Sequence, residues 1–329
     1  YDNAQLARVY AHWWRATGSP LAKRIAIETV EFMLADLRTP DGGFASALDA
    51  DAGGVEGSTY VWTPAQLAEA LDAADAAWTA NLFAVTRRGT FEHGSSVLQL
   101  PADPEPDDEQ RWRSVRARLA KVRATRVQPG RDDKVVAAWN GLAIATLADA
   151  GVLFERPDFV AAAQEAADLL LGVHVIDGRL RRVSRGRVAG QPAGVLEDYA
   201  DVAEGLLALA QAIGSAAMLD TAGDLLDVVL EHFADGHGGF HDTADDAETL
   251  VRRPRNVTDD ATPSGQSAAA QALLTYGALT GSLPHRRAAE QALGATRVLG
   301  AQYPRAAGWG LAAASALLAG PAEIAIVGD

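Results

Sequence analysis

LEDYADVAEGLLALAQAIGSAAMLDTAGDLLDVVLEHF, residues 196–233, reads as two helices and the turn between them. Leu196, Tyr199, Ala200, Ala203, Leu207 and Ala210 fall at helical spacing and make one apolar stripe. Gly214-Ser215 then breaks the pattern, with glycine free to end one helix and serine free to cap the next. A connection this short joins antiparallel neighbours, so the unit is an αα-hairpin.

The same unit recurs outward in both directions. Towards the N-terminus, Leu6, Val9, Tyr10, Trp13 and Trp14 give a stripe that ends at Gly18. Ser19-Pro20 then opens a helix carrying Ala26, Val30, Met33, Leu34 and Leu37. Thr63-Pro64-Ala65-Gln66 is a capping box with proline at N1, and it pairs with a helix over 107–125 that breaks at Pro129-Gly130. A third pair is expected over 135–150 and 157–173, turned at Gly151. The fifth starts at Thr262-Pro263 and turns between Gly281 and Pro284, and a sixth begins near Trp309 and fades at Gly320-Pro321.

A second element repeats with them. DGGF at 41–44, DGRL at 177–180 and GHGGF at 236–240 each follow the second helix of a pair, and each predicts a short β-hairpin. Connections within pairs are a few residues, whereas those between pairs run from about ten to nearly thirty, well above the usual median of about 4–6. Long loops therefore gather at one rim, with the starts of the inner helices. The expectation is an all-α fold, an (α/α)6 toroid of helical hairpins with short β-hairpins on one rim and an incomplete sixth hairpin. It would be a single domain over 1–329. An open α-solenoid is the alternative, disfavoured because solenoid repeats are more uniform.

Composition narrows the function. A net charge of -14 argues against nucleic acid, which needs a clustered basic face. The one arginine-rich run, RWRSVRARLAKVRATR from Arg111, reads as a solvated helix face. With no cysteine, disulfides, thiolate catalysis and cysteine-bound metal are excluded. No apolar run approaches a membrane span and no signal peptide precedes the first helix, so a cytoplasmic address is expected. The opening YDNAQL without an initiator Met suggests a mature fragment or a trimmed piece.

The rim carries the chemistry. Its first loop brings Asp49, Asp51 and Glu56 together with Tyr60 and Trp62. RDDKVVAAWNG supplies Asp132, Asp133, Trp139 and Asn140, LEDYA supplies Glu197, Asp198 and Tyr199, and DDATPSGQS supplies Asp259, Asp260, Thr262, Ser264 and Gln266. Tyr1, Asp2 and Asn3 stand at the equivalent point of the first helix. Carboxylates beside aromatic rings suit sugars, and glycoside hydrolysis needs two carboxyl groups flanking one bond. A separation of roughly 5–5.5 Å marks retaining and roughly 6.5–9.5 Å inverting hydrolysis. Asp49, Asp51, Asp133, Asp198 and Asp260 are the candidate acids and bases. Asp2, Glu56, Trp62, Trp139, Asn140, Glu197, Tyr199, Thr262 and Ser264 are candidate substrate contacts.

Blander roles compete with these. Acids at helix starts favour the macrodipole and cap free N–H groups, which is open to Glu197, Asp198 and Asp133. Trp62 and Trp139 are equally at home in a core. DADAGGVEG lacks the spacing of an EF-hand loop, and His237 and His241 have no third ligand at recognisable spacing. Neither a metal nor a cofactor is expected.

YDNAQL, GGFASALDADAGGVEGSTYVWT, DDKVVAAWNGL, LEDYA and DDATPSGQS, in that order, resemble the helical region of the long thioredoxin domain-containing proteins. That family includes the animal spermatogenesis-associated protein and bacterial relatives. The resemblance covers essentially the whole chain and implies an (α/α)6 toroid of the six-hairpin glycosidase type, similar also to the N-acylglucosamine 2-epimerases. It implies an N-terminal thioredoxin-like domain that this sequence lacks, and a continuation past EIAIVGD. Three functions follow as expectations. Carbohydrate processing by paired rim carboxylates, on a small-molecule or glycan ligand in a central cavity, comes first. A sugar epimerase, which would use a positioned base such as histidine, comes second. A non-catalytic binding module serving the thioredoxin-like domain comes third.

Overall fold

The computed structural model describes residues 1–321; residues 322–329, among them the EIAIVGD end, and the Ala295 side chain lie outside the described residues. Among the described residues there are thirteen α-helices: α1 (Asp2–Thr17), α2 (Pro20–Phe32), α3 (Pro64–Ala70), α4 (Ala73–Leu82), α5 (Glu109–Ala124), α6 (Ala137–Leu153), α7 (Pro157–Leu169), α8 (Leu196–Ile213), α9 (Ala216–His232), α10 (Gly265–Thr280), α11 (Leu283–Ala292), α12 (Gly294–Gln302) and α13 (Gly308–Ala319). The strands are two or three residues each: β1 (Ala47–Leu48), β2 (Asp51–Ala52), β3 (Val55–Glu56), β4 (Arg131–Asp132), β5 (Val135–Val136), β6 (Val175–Ile176), β7 (Arg179–Leu180), β8 (Val183–Arg185) and β9 (Val188–Ala189). The chain forms two compact units, one of residues 1–46 and 133–329, the other of residues 47–132.

The first unit is the all-α hairpin fold expected. α1/α2, α6/α7, α8/α9 and α10/α11 are hairpins; their first members pack in the series α1, α6, α8, α10, and α13 packs on α10 at its end. The inner helices α6, α8 and α10 are buried nearly all round, whereas the outer helices bury one face. The punctuation works as its chemistry requires. Gly18, Gly214 and Gly281 end helices at φ 69, 67 and 72, and the Ser19 and Ser215 hydroxyls accept from the N–H of Ala22 and Met218, each at 3.3 Å.

Two readings of the sequence shift. Ala4, Ala7 and Ala11 are the buried face of α1, where the Ala4 carbonyl accepts from Thr146 Oγ1 of α6 at 2.9 Å, while Leu6, Val9 and Trp13 of the expected stripe are exposed. Alanine faces let helix axes approach closely, so the small residues rather than the large ones mark the inner side. The third hairpin turns at 154–156, not at Gly151. Gly151 lies inside α6, where a Cβ would stand 2.5 Å from Val160 Cγ2, so it serves the approach of α7.

The second unit holds α3, α4, α5 and the pairs β1–β4 and β2–β3. Thr63 and Gln66 form the capping box reciprocally, at 3.2 and 2.9 Å. The expected helix from Pro64 is two helices broken at Leu71-Asp72, so this segment is not a simple hairpin, and in the first unit α1 packs directly on α6. The arginines of α5 are engaged. Arg111 and Arg118 bind Asp75, and Arg126 donates to the Thr59 and Val61 carbonyls while covering the Trp62 ring at 3.9 Å.

The repeated glycine turns share one device. Leu37, His174 and Phe233 each accept, at 2.8 Å, the N–H of the residue just after the turn, from Ala45, Arg181 and His241. Each turn is then held by the first turn of an inner helix. Asn140 Oδ1 accepts from Phe44 N at 2.7 Å, Tyr199 Oη from Leu180 N at 2.9 Å, and Gln266 Oε1 from Phe240 N at 2.9 Å. The Asn140 amide also donates to the Phe44 and Val136 carbonyls, at 3.1 and 2.9 Å. Asn140→Ala strands buried main-chain groups and is expected to cost about 1–3 kcal/mol in urea denaturation. Hydrogen exchange locates the loss: the Phe44 amide should exchange faster, and an unchanged rate would show that the clasp holds nothing.

Candidate functional site

Two acids open α8. Asp198 is fully buried and accepts from Ala138 N at 3.1 Å, Val195 N at 2.9 Å and Arg182 Nη1 at 3.0 Å. It thereby ties the start of α6 to the start of α8. Burial, partly offset by Arg182 and the two N–H donors, pushes its carboxyl up to about 6. Glu197 is half-buried and binds Arg182 Nη2 at 2.7 Å. Arg182 thus grips both acids, and its main chain is fixed by bonds to Ala137 and Pro192.

Glu197 and Arg182 line a cavity of about 380 Å³ between the starts of α8 and α10. Asp242, Asp260, Asn256 and the hydroxyl residues Thr243, Thr258, Thr262 and Ser264 complete its polar lining, all from the first unit. Burial raises the Asp242 carboxyl and the charge of Glu197 adds to this, against the N–H that Asn256 donates at 2.9 Å. Asp260 is exposed. The residue before it behaves otherwise. Asp259 accepts from Ser264 N at 3.0 Å and Ser264 Oγ at 3.1 Å, and its other oxygen accepts from Trp309 N at 2.8 Å and Gly310 N at 3.1 Å. It joins the starts of α10 and α13 as Asp198 joins those of α6 and α8.

Further along α8, Asp201 and Glu204 are buried. Arg8 of α1 donates to Glu204 at 2.7 Å and to Asp149 at 3.0 Å. Burial, and after it the charges of Glu204, Glu197 and Asp198, raise the Asp201 carboxyl well above its ordinary value of 3.8. The folded state therefore holds protons on Asp198 and Asp201 more tightly than the unfolded chain does. Their contribution to stability is present below about pH 4 and lost as pH rises through the folded-state values, about 6 for Asp198 and well above 3.8 for Asp201. Asp201→Asn is expected to flatten the fall in unfolding free energy between about pH 4 and pH 7 in urea titrations. A variant with the same slope as the native chain would contradict the assignment.

The other predicted residues lie elsewhere. Asp49, Asp51, Glu56 and Trp62 belong to the second unit, where the acids are exposed and Trp62 is core. Asp133 lines a separate cavity of about 230 Å³ with Asp41, Ser184, Arg185 and Arg187. Asp2 is exposed on the first turn of α1, and Trp139 is half-buried against Tyr1, with ring centroids 4.8 Å apart. Asn140 and Tyr199 are engaged in the turn clasps. Of the predicted set, Glu197, Asp260, Thr262 and Ser264 come together. Arg182, Asp242, Thr243, Asn256 and Thr258 also line the cavity and are not among the residues the sequence singled out; Arg182 and Asp242 each follow a repeated turn by two residues, after DGRL and GHGGF. His237 is exposed. His232, Asp245 and Asp246 could each offer a metal ligand atom, but Asp246 is already bound twice by Arg179, at 2.5 and 2.8 Å.

No family model matches the chain. Spermatogenesis-associated protein 20 of Rattus norvegicus is 30% identical over 327 residues, covering 85% of this chain and 41% of the relative. The chain resembles spermatogenesis-associated protein 20. The Homo sapiens protein of that name is 29% identical, over 85% of this chain and 42% of its own length. The chain thus spans about two fifths of the length of these relatives. Among solved structures, a D-mannose isomerase is similar with a TM-score of 0.48 and 13% identity, over 90% of this chain and 74% of that one. An unsaturated glucuronyl hydrolase from a Bacillus species has a TM-score of 0.43 and 12% identity, over 89% and 72%. No helix among the described residues is long and apolar enough to cross a membrane.

Proposed function

We propose that the first unit processes a carbohydrate in the cavity between the starts of α8 and α10, by acid–base hydrolysis of a glycosidic bond. The observation that carries this reading is the cavity itself. It gathers Glu197, Asp242 and Asp260 with one arginine, one amide and four hydroxyl residues, in a volume that suits a sugar ring or two. Asp242 is the proposed acid, since a carboxyl raised by burial retains the proton that a leaving glycosidic oxygen needs. Glu197, oriented by Arg182, is the proposed carboxylate partner on the other side of the bond, and Asp260 the proposed contact to sugar hydroxyls. Asp198 acts through Arg182 as a positioning residue. The acid–base groups that line the cavity are carboxylates, which favours hydrolysis over proton abstraction by a histidine. A thioredoxin-like domain elsewhere in the full-length protein remains part of this proposal as its partner.

The experiment is a screen of oligosaccharides for newly released reducing ends. Turnover by the native chain is expected. A chain that binds sugar in the cavity but releases nothing from any glycan would support the binding module instead.

A further inference from the structure

The charge of the cavity bears on which sugars it takes, granted that it takes sugars. Its ionisable lining is Glu197, Asp242, Asp260 and Arg182. Arg182 is the one cation among these lining residues, and its terminal nitrogens are already committed, one to Asp198 at 3.0 Å and one to Glu197 at 2.7 Å. Even with the proton kept on Asp242, two carboxylates face one guanidinium, and buried Asp198 stands behind that guanidinium. Two arginines of the neighbouring 252–256 stretch do not line the cavity and are engaged elsewhere. Arg253 donates to the Thr243 and His232 carbonyls, and Arg255 pairs with Asp235. The Thr243 hydroxyl is buried and has no hydrogen-bond partner among the described residues, so the lining retains polar capacity for a ligand.

We infer that this cavity selects sugars bearing a protonated amine, accepts neutral sugars less well, and rejects uronates and sulfated sugars. The inference rests on the carbohydrate reading and sharpens it. A uronate carboxylate entering the cavity would meet Glu197 and Asp260 and find no uncommitted guanidinium, whereas an ammonium would gain charge-assisted hydrogen bonds from the same two acids. Screening by salt weakens such contacts at an open rim, so the preference should depend on ionic strength.

The test is calorimetric titration of the native chain with three disaccharides: one of glucosamine, one of N-acetylglucosamine and one containing glucuronate. The glucosamine disaccharide is expected to bind about tenfold tighter than the neutral one, the effect of one charge-assisted hydrogen bond, and the glucuronate disaccharide at least about tenfold weaker. Raising the salt should narrow both gaps, and Asp260→Asn should narrow the first. Glucuronate binding as tightly as the neutral sugar would overturn the inference while leaving the carbohydrate reading intact. So would an amine preference unmoved by both salt and Asp260→Asn. Failure of all three sugars to bind would overturn the carbohydrate reading itself.

Discussion

Gly141→Ala is expected to lower the unfolding free energy by about 3 kcal/mol, at the upper end of what an overpacked core costs. A Cβ at this position would stand 2.3 Å from the Asp201 carbonyl carbon, 2.4 Å from its oxygen and 2.5 Å from the Val202 nitrogen. These are main-chain atoms in the middle of α8, so no side chain can rotate away to make room. α8 answers with its own glycine, since a Cβ on Gly205 would lie 2.6 Å from the Gly141 oxygen. The two inner helices therefore touch backbone to backbone, and an added methyl must push them apart. Gly172→Ala is the control, because nothing lies within 4 Å of its added Cβ. That variant should be neutral or gain a few tenths of a kcal/mol from reduced unfolded-state freedom, about the usual benefit. Thermal and urea unfolding of the two variants measure the contrast. Equal stability would show that the glycine contact does not set the spacing of α6 and α8.

Glu197→Gln and Asp242→Asn are each expected to lower glycan turnover about 10²–10⁴-fold, the usual share of a positioned acid or base. Both replacements keep the shape of the side chain, so binding of the same glycan should persist. They differ in pH dependence. Losing Asp242 removes the carboxyl whose hold on its proton burial strengthens, so the limb of the profile in which activity falls as pH rises should disappear in the residual activity. Asp198→Asn should act differently again. It does not itself line the cavity but holds Arg182, which does, so its loss would free Arg182 to swing and leave Glu197 poorly held. A fall in turnover with Asp198→Asn but none with Glu197→Gln would reverse the roles proposed for the two neighbours.

The hairpins could be read from the sequence because the punctuation is local. A glycine that ends a helix and a serine that caps the next act within a few residues, so Gly18-Ser19 and Gly214-Ser215 fall where expected. The inner face of α1 could not be read this way. The stripe of Leu6, Val9 and Trp13 is the more hydrophobic, yet Ala4, Ala7 and Ala11 are the buried residues, and a hydrophobicity pattern undervalues alanine where close approach decides the packing. For the site, acids at helix starts gave two kinds of residue that sequence cannot separate. Asp198 and Asp259 are consumed by main-chain N–H groups of neighbouring inner helices, whereas Glu197 and Asp260 face the cavity. The difference is one residue of register in each motif. Arg182 and Asp242 arrive from turns that precede α8 and α10, and only the packing of those turns against the helix starts brings them in. In the sequence Asn140 is a candidate substrate contact because it stands with the rim residues at the start of an inner helix. Its amide is spent on Phe44 instead.

The central claim is that sugar binds between the starts of α8 and α10. A crystal structure of the Asp242→Asn variant soaked with an oligosaccharide of glucosamine tests it most directly. The account predicts sugar in that cavity, with its hydroxyl or amine groups within hydrogen-bond distance of Glu197 and Asp260. Sugar bound reproducibly at another place on the chain, with this cavity empty, would contradict it.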